Sequence, residues 1–101
     1  MNSRKKLPAE TKPVYVPCEI TDILAGLKRT IEETGVELYD TRSIQYGVKL
    51  MFRTAQLHSE INLFFGHRGY SVVESPKRGT SVELNGMMAQ LVDDYIHGAY
   101  A

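Results

Sequence analysis

A strict alternation of apolar and polar side chains from Ile44 to Arg53 constrains the fold of this chain more than any other feature. One side of this stretch would carry Ile44, Tyr46, Val48, Leu50 and Phe52, and the other would carry Gln45, Gly47, Lys49, Met51 and Arg53. Because successive side chains of a strand point to opposite faces, a period of two predicts a half-buried strand of an antiparallel sheet.

The same period continues in both directions along the chain. Leu57 to Phe65 and Tyr70 to Glu74 alternate in the same way, and Val36 to Thr41 forms a shorter alternating segment. The breaks at residues 54–56 and 66–69 are short enough for hairpins, and the second contains two glycines that can take positive φ. Four strands joined in this way predict an antiparallel meander.

Two amphipathic helices are predicted on either side of these strands. The first spans Pro17 to Thr34, and Gly35 follows it where a left-handed C-terminal cap is expected. Thr80 followed by Glu83 matches a capping box that would begin the second helix, which Gly98 would end. The apolar stripes are Ile20, Ile23, Leu24, Leu27 and Ile31 in the first helix, and Leu84, Met87, Met88, Leu91, Val92, Tyr95 and Ile96 in the second.

The order α-β-β-β-β-α predicts a two-layer α+β domain over residues 14–101, preceded by a flexible basic tail over residues 1–13. A chain of 101 residues is expected to form one domain. If both helices cover the same face of the sheet, the other face meets solvent or a partner. The residues predicted for that other face are Tyr39, Gln45, Lys49, Met51, Arg53, His58, Glu60, Asn62, Phe64, Ser71 and Val73.

The charge of the chain is polarised, although its formal net charge is zero. Counting Lys and Arg against Asp and Glu gives 4 − 1 = +3 for residues 1–17 and 2 − 6 = −4 for residues 18–41. The same count gives 6 − 2 = +4 for residues 42–79 and 0 − 3 = −3 for residues 80–101. The strands and the tail are therefore basic, whereas both predicted helices are acidic.

Cysteine content and hydropathy predict a cytoplasmic protein. The single Cys18 cannot form an internal disulfide, which is typical of a reducing compartment. No apolar run approaches the roughly 18 to 20 residues that a membrane-spanning helix needs. The basic N-terminus also lacks the apolar core of a signal peptide.

The sequence contains no catalytic signature, and we predict neither an enzyme nor a bound metal or cofactor. His58, His67 and His97 lack the spacing of metal ligands. Residues 75–81 contain one glycine, Gly79, and lack the spacing of a phosphate-binding P-loop. Cys18 is expected to be an inert thiol, because no activating neighbour accompanies it in the sequence.

The residues predicted for the uncovered face favour nucleic acid as a ligand. Cations can follow phosphates while an aromatic ring stacks on bases, a combination typical of single-strand binding. A Lys-Arg pair directly precedes the second helix, whose N-terminus also favours phosphate. The predicted nucleic-acid-binding residues are Lys49, Arg53, His58, Asn62, Phe64, Arg68, Lys77 and Arg78.

Two other interpretations of this face stay open. It can be a solvated sheet face that tolerates a few apolar residues. Alternatively, Met51, Phe64 and Val73 can form a homodimer or protein-binding interface. The basic tail has two interpretations as well: it solvates the chain end, or it binds a polyanion.

The element order over residues 18–98 resembles the double-stranded-RNA-binding domain, which runs α-β-β-β-α and places basic residues at the start of its last helix. Lys77, Arg78 and the Thr80 cap occupy that place here. The chain departs from that family in its additional strand and in lacking a Lys-rich first turn in the second helix. It is also similar to the helix-covered curved sheets of TATA-binding-protein-like modules, some of which accompany nucleases as substrate-binding domains. Both resemblances imply nucleic-acid binding by analogy of fold.

Overall fold

The computed structural model describes residues 20–66 and 69–100, which form two helices and one four-stranded antiparallel sheet. In chain order the elements are α1 (Ile20–Glu32), β1 (Glu37–Ile44), β2 (Gly47–Arg53), β3 (His58–Gly66), β4 (Gly69–Glu74) and α2 (Val82–Tyr100). The strands lie side by side in the order β1-β2-β3-β4. The predicted α+β meander is therefore confirmed. The predicted tail, Pro17, Cys18, His67 and Arg68 lie outside the described residues.

Both helices pack on the same side of the sheet, which we call the helix-covered face. The opposite side, on which neither of these two helices packs, is called the helix-free face. Burying the apolar stripes of both helices against the sheet is the main source of stability in such a two-layer fold. The buried core comprises Ile23, Leu27, Ile31, Val36, Leu38, Val48, Leu50, Phe52, Ile61, Leu63, Tyr70, Leu84, Met88, Val92 and Ile96.

Tyr70 brings a polar group into this core. Its hydroxyl donates hydrogen bonds to the Asp93 carboxylate at 2.8 Å and to the Asp93 carbonyl oxygen at 3.2 Å. Burial and the neighbouring Asp93 both raise the pKa of Tyr70 above its usual value. The hydroxyl therefore ties β4 to α2 in its neutral form.

The first hairpin turn lies later in the chain than the sequence pattern predicts. β1 continues through the polar residues 41–43, and the turn falls at Gln45 and Tyr46, so that Ile44 pairs with Gly47. Two predictions for the core face are corrected by this register. Ile44 lies on the helix-free face with Gly47, and Tyr46 is 47% exposed in the turn. Gln45 likewise sits in the turn rather than on the sheet.

The conformation of this turn explains why it was missed. Tyr46 has a φ of 69°, in the left-handed region that usually takes Gly or Asn. Its carbonyl oxygen accepts a hydrogen bond from the Phe65 amide at 2.8 Å, which fixes the turn against β3. A sequence without a typical turn residue therefore still reverses direction here.

A similar correction applies at the second hairpin. The alternation predicts a strand that begins at Leu57, with its side chain in the core. In the structure β3 begins at His58, and Leu57 is exposed in the hairpin. The Thr54 hydroxyl accepts hydrogen bonds from the Gln56 and Leu57 amides, at 3.2 and 3.0 Å. These bonds hold Leu57 in the turn.

The predicted helix ends give one confirmation and two corrections. α2 continues past Gly98 to Tyr100, so Gly98 does not end it. Gly35 has a φ of 87° after the end of α1, which confirms the predicted cap. At the start of α2, the capping residue is Ser81 rather than Thr80, because the Ser81 hydroxyl accepts a hydrogen bond from the Leu84 amide at 3.1 Å. Met87 is predicted for the buried stripe but is 59% exposed. The side of α2 that faces the core carries Leu84, Met88 and Val92 instead.

Candidate functional site

The helix-free face consists of rows of side chains that the strand register sets across β2, β3 and β4. Directly opposed residues lie on the same face of a sheet. The rows, from the end near α2's N-terminus, are Arg53–His58, Met51–Glu60, Lys49–Asn62–Val73 and Gly47–Phe64–Ser71. The polar character predicted for this face is therefore present, although several of its side chains are well buried.

Glu60 occupies the centre of the polar part of this face. Its Oε1 atom lies 3.0 Å from Lys77 Nζ and 3.4 Å from Lys49 Nζ, and its side chain is 7% exposed. Burial alone acts to raise the pKa of Glu60, but the hydrogen bonds and charges of the two lysines outweigh it. The pKa of Glu60 is consequently below its usual value, and the carboxylate stays ionised at neutral pH.

Lys49 is held in place by two acceptors. In addition to Glu60, its ammonium group donates a hydrogen bond to the Ser75 hydroxyl at 3.1 Å. Its side chain is 16% exposed. Lys49 is therefore a fixed charge within a network, with less freedom to follow a ligand than an exposed lysine.

A second group of side chains surrounds Tyr39, which a β-bulge between Leu38 and Asp40 inserts into β1. The Tyr39 hydroxyl and His58 Nε2 share a hydrogen bond of 2.5 Å. The Arg53 guanidinium lies over the Tyr39 ring, 4.5 Å from the ring centroid, and Arg53 Nε also lies 3.0 Å from Glu37 Oε1. Two rings and one cation therefore share one corner of the helix-free face.

The two groups adjoin each other. His58 Nε2 lies 3.9 Å from Glu60 Oε2, and both residues project from β3 on the same face. A ligand that reached the rings would therefore also meet the charges around Glu60.

Asn85 of α2 fixes the loop that carries Lys77. Its side-chain oxygen accepts hydrogen bonds from the Ser59 hydroxyl at 2.6 Å and from the Glu60 amide at 3.1 Å. Its side-chain nitrogen donates to the Thr80 hydroxyl at 3.2 Å, and Thr80 in turn closes a turn with Lys77. Asn85 is 1% exposed, so this network is a buried anchor between helix, strand and loop.

The predicted site residues are distributed over two areas of the helix-free face and its edge. Lys49, His58 and Lys77 meet around Glu60, with Arg53 beside them. Arg78 follows Lys77 in the exposed loop and forms no ion pair within the described part of the chain. Asn62 and Phe64 lie farther along β3, both half-buried. Arg68 belongs to the residues that the structure does not describe.

Sequence reasoning missed several partners of these residues. Glu60 was placed on this face, but its contacts with both lysines depend on strand register and loop path. The sequence gives one indication of Asn85, which is a polar amide between Leu84 and Met88 of the predicted apolar stripe. Ser75 carried no signal of its own.

Other sites are not evident in residues 20–66 and 69–100. No group of three or more His, Cys, Asp or Glu side chains there is arranged to hold a metal ion. Neither α1 nor α2 is long and apolar enough to cross a membrane.

Comparisons with known proteins do not identify a family for this chain. No protein-family model matches it, and no curated protein or solved structure is significantly similar to it. Function therefore has to be argued from the helix-free face itself.

Proposed function

We propose that the chain binds nucleic acid through the helix-free face and the loop that carries Lys77 and Arg78, and that it acts as a non-catalytic binding module. The observation that carries this proposal is the meeting of cations from distant parts of the sequence. Lys49 of β2 and Lys77 of the loop reach the same Glu60 oxygen, at 3.4 and 3.0 Å. Such clustering of positive charge is the electrostatic footprint expected of a polyanion-binding surface.

Internal ion pairs reduce this positive charge but do not cancel it. The net charge of this part of the surface is 4 − 2 = +2. It has four cations (Lys49, Arg53, Lys77 and Arg78) and two carboxylates (Glu37 and Glu60). The Arg42–Asp40 pair at the β1 edge adds nothing to this sum. A surplus of this size supports modest binding that salt weakens strongly.

Different side chains would contact different parts of the ligand. The exposed Lys77 and Arg78 would contact phosphates at the edge of the sheet. The rings of Tyr39, His58 and Phe64 would contact bases that are not paired with a second strand, as in other sheet-based single-strand binders. Single-stranded RNA or DNA is therefore the ligand that this arrangement fits best.

Fluorescence anisotropy with labelled single- and double-stranded RNA and DNA, at several salt concentrations, tests the proposal. The informative variant is Arg78→Ala, because Arg78 is exposed and forms no side-chain hydrogen bond or ion pair with residues 20–66 and 69–100. We expect weaker binding and a salt-dependence slope that is smaller by about 1.

Arg29→Ala is the matched control, since it removes an exposed arginine from α1 on the other side of the sheet. It should leave both affinity and slope unchanged. Absence of binding to every oligonucleotide at low salt, or equal effects of the two variants, would contradict the proposal.

The alternative is a homo-oligomeric or protein-binding module that uses the same face. The half-buried Phe64 favours this alternative, because part of its ring is available to a protein partner. Met51 is only 8% exposed and offers little apolar surface. Light scattering on Phe64→Asp separates the two functions. A wild-type dimer that becomes a folded monomer in this variant would assign the face to protein contact.

A further inference from the structure

Two polar atoms on the helix-free face are buried without a hydrogen-bond partner in the described part of the chain. They are Asn62 Oδ1 on β3 and Ser71 Oγ on β4, and Ser71 is 1% exposed. Buried polar side chains are nearly always hydrogen-bonded, and an unmade bond costs stability. Asn62 and Ser71 are diagonal neighbours on the paired strands β3 and β4. Two unmade hydrogen bonds so close together suggest that a ligand supplies the partners.

Both atoms adjoin the one phenylalanine on this face. Phe64 follows Asn62 by two positions on β3, so the two side chains share the helix-free face. Ser71 is directly opposite Phe64 on β4, and Gly47 is directly opposite it on β2. Because glycine has no side chain, β2 places no side chain directly opposite Phe64.

Gly47 is also required by the backbone. A Cβ atom at this position would stand 2.0 Å from the Leu63 carbonyl oxygen. The β2 and β3 backbones thus approach too closely at this position for a residue that carries a Cβ atom.

We infer that this part of the face reads one unpaired base of a bound single strand that carries an amino group beside a ring nitrogen, as adenine and cytosine do and thymine does not. The inference rests on the proposed function and names the kind of base that the site would select. The base would stack on Phe64. Its amino group would donate to Asn62 Oδ1, while the Asn62 amide nitrogen would donate to a ring nitrogen of the base.

The chemistry of the unpaired atoms favours a base over a phosphate. Asn62 Oδ1 needs a donor, and phosphate oxygens offer none. A carboxamide pairs with adenine or cytosine through two hydrogen bonds, one in each direction, whereas thymine has no amino group to donate. Ser71 adds a hydroxyl that can donate or accept beside the same base. Because both atoms are shielded in the unbound chain, the base must displace neighbouring side chains as it enters.

Binding of labelled oligo(dA), oligo(dC) and oligo(dT) of roughly ten nucleotides, at one fixed salt concentration, tests the inference. We expect the wild type to bind oligo(dA) and oligo(dC) about tenfold more tightly than oligo(dT), the ratio expected for one good pair of base contacts. Asn62→Ala should abolish this preference, with a much smaller change in the affinity for oligo(dT). Gln56→Ala, which removes an exposed amide from the β2–β3 hairpin, should keep the preference.

The outcomes separate the inference from the proposed function. Equal wild-type affinity for the three oligonucleotides would overturn the inference and leave nucleic-acid binding in place. Failure of all three, and of the matching RNA oligonucleotides, to bind at low salt would overturn both. A uniform loss of affinity in Asn62→Ala would also overturn the inference, because it would assign Asn62 a structural role.

A second variant keeps the test available if Asn62→Ala does not fold. Asn62→Asp preserves size and the acceptor oxygens but removes the donor to the ring nitrogen. Its preference for oligo(dA) over oligo(dT) should fall severalfold, because the carboxylate has no donor for the ring nitrogen. A preference for oligo(dA) retained at the wild-type level would overturn the inference.

Discussion

The two faces of the sheet are held in place by different forces, although one alternating pattern encodes both. On the helix-covered face, apolar side chains such as Leu50, Phe52 and Ile61 are fully buried against α1 and α2. On the helix-free face, the neighbouring positions form ion pairs and hydrogen bonds around Glu60. The comparison teaches that alternation assigns a residue to a face, whereas the contacts on that face depend on its cross-strand neighbours.

The largest effect on the free energy of unfolding is expected in β2, where two consecutive side chains, Met51 and Phe52, point to opposite faces. Phe52→Ala should lower the free energy of unfolding by about 3–5 kcal/mol, because it leaves a cavity in a fully buried position. Met51→Ala, on the helix-free face, should cost about 1–2 kcal/mol, less than a fully enclosed methionine. Urea unfolding of both variants measures the difference.

Arg53→Ala serves as the exposed reference on the same strand, and its loss should change stability by less than about 1 kcal/mol. Equal losses for Phe52→Ala and Met51→Ala would break the comparison, since the helix-free face would then be a second core.

A smaller effect is expected at the link between the two faces. Asn85→Ala would leave the Ser59 hydroxyl and the Glu60 amide without their buried acceptor. We expect a loss of about 3 kcal/mol in the free energy of unfolding, from two unmade hydrogen bonds.

Thermal or urea unfolding checks this value against Gln90→Ala, an exposed amide on the same helix. A neutral Asn85→Ala variant would show that the Lys77 loop does not depend on this anchor.

The smallest effect is the pH dependence contributed by Glu60. Its pKa is lowered in the folded chain, so the ionised form stabilises the fold at pH values above the usual glutamate pKa. This contribution should disappear as the pH falls below about 4.5 and passes through the lowered value. Glu60→Gln should therefore lower the free energy of unfolding at pH 7 and flatten the loss of stability in acid.

Urea midpoints measured from pH 7 to pH 3 test this expectation. Glu83→Gln, an exposed acid in the first turn of α2, is the control and should retain the acid slope. If Glu60→Gln also retained the full wild-type slope, other carboxylates would be responsible for it.

Most of the fold was predictable because its signals are local. The structure confirms three signals that arise within a few neighbouring residues: the alternation from Val48 to Phe52, the stripe of Ile23, Leu27 and Ile31 in α1, and the Gly35 cap. The Gln45–Tyr46 turn was not predictable, because Tyr46 adopts a left-handed conformation that its side chain disfavours. The cap of α2 was misplaced by one residue because Thr80 and Ser81 both suit an N-cap.

The candidate site was less predictable than the fold. Its cations were identifiable as residue types, but the convergence of Lys49 and Lys77 on Glu60 depends on strand register and on the path of a loop. Asn85 fixes that path from α2, far from β3 in the sequence. The unpaired state of Asn62 and Ser71 likewise exists only once β3 and β4 are aligned.

The order of the strands also bears on how the chain folds. Each strand pairs with its successor in the chain, so the sheet assembles through short-range hairpins. The contact between α1 and α2 instead joins residues from opposite ends of the described chain, where Gly26 lets the Tyr95 hydroxyl approach the α1 backbone. We therefore expect the hairpins to form first and the helices to meet late. Earlier protection of α1 than of β2 and β3 in pulsed amide exchange during refolding would contradict this order.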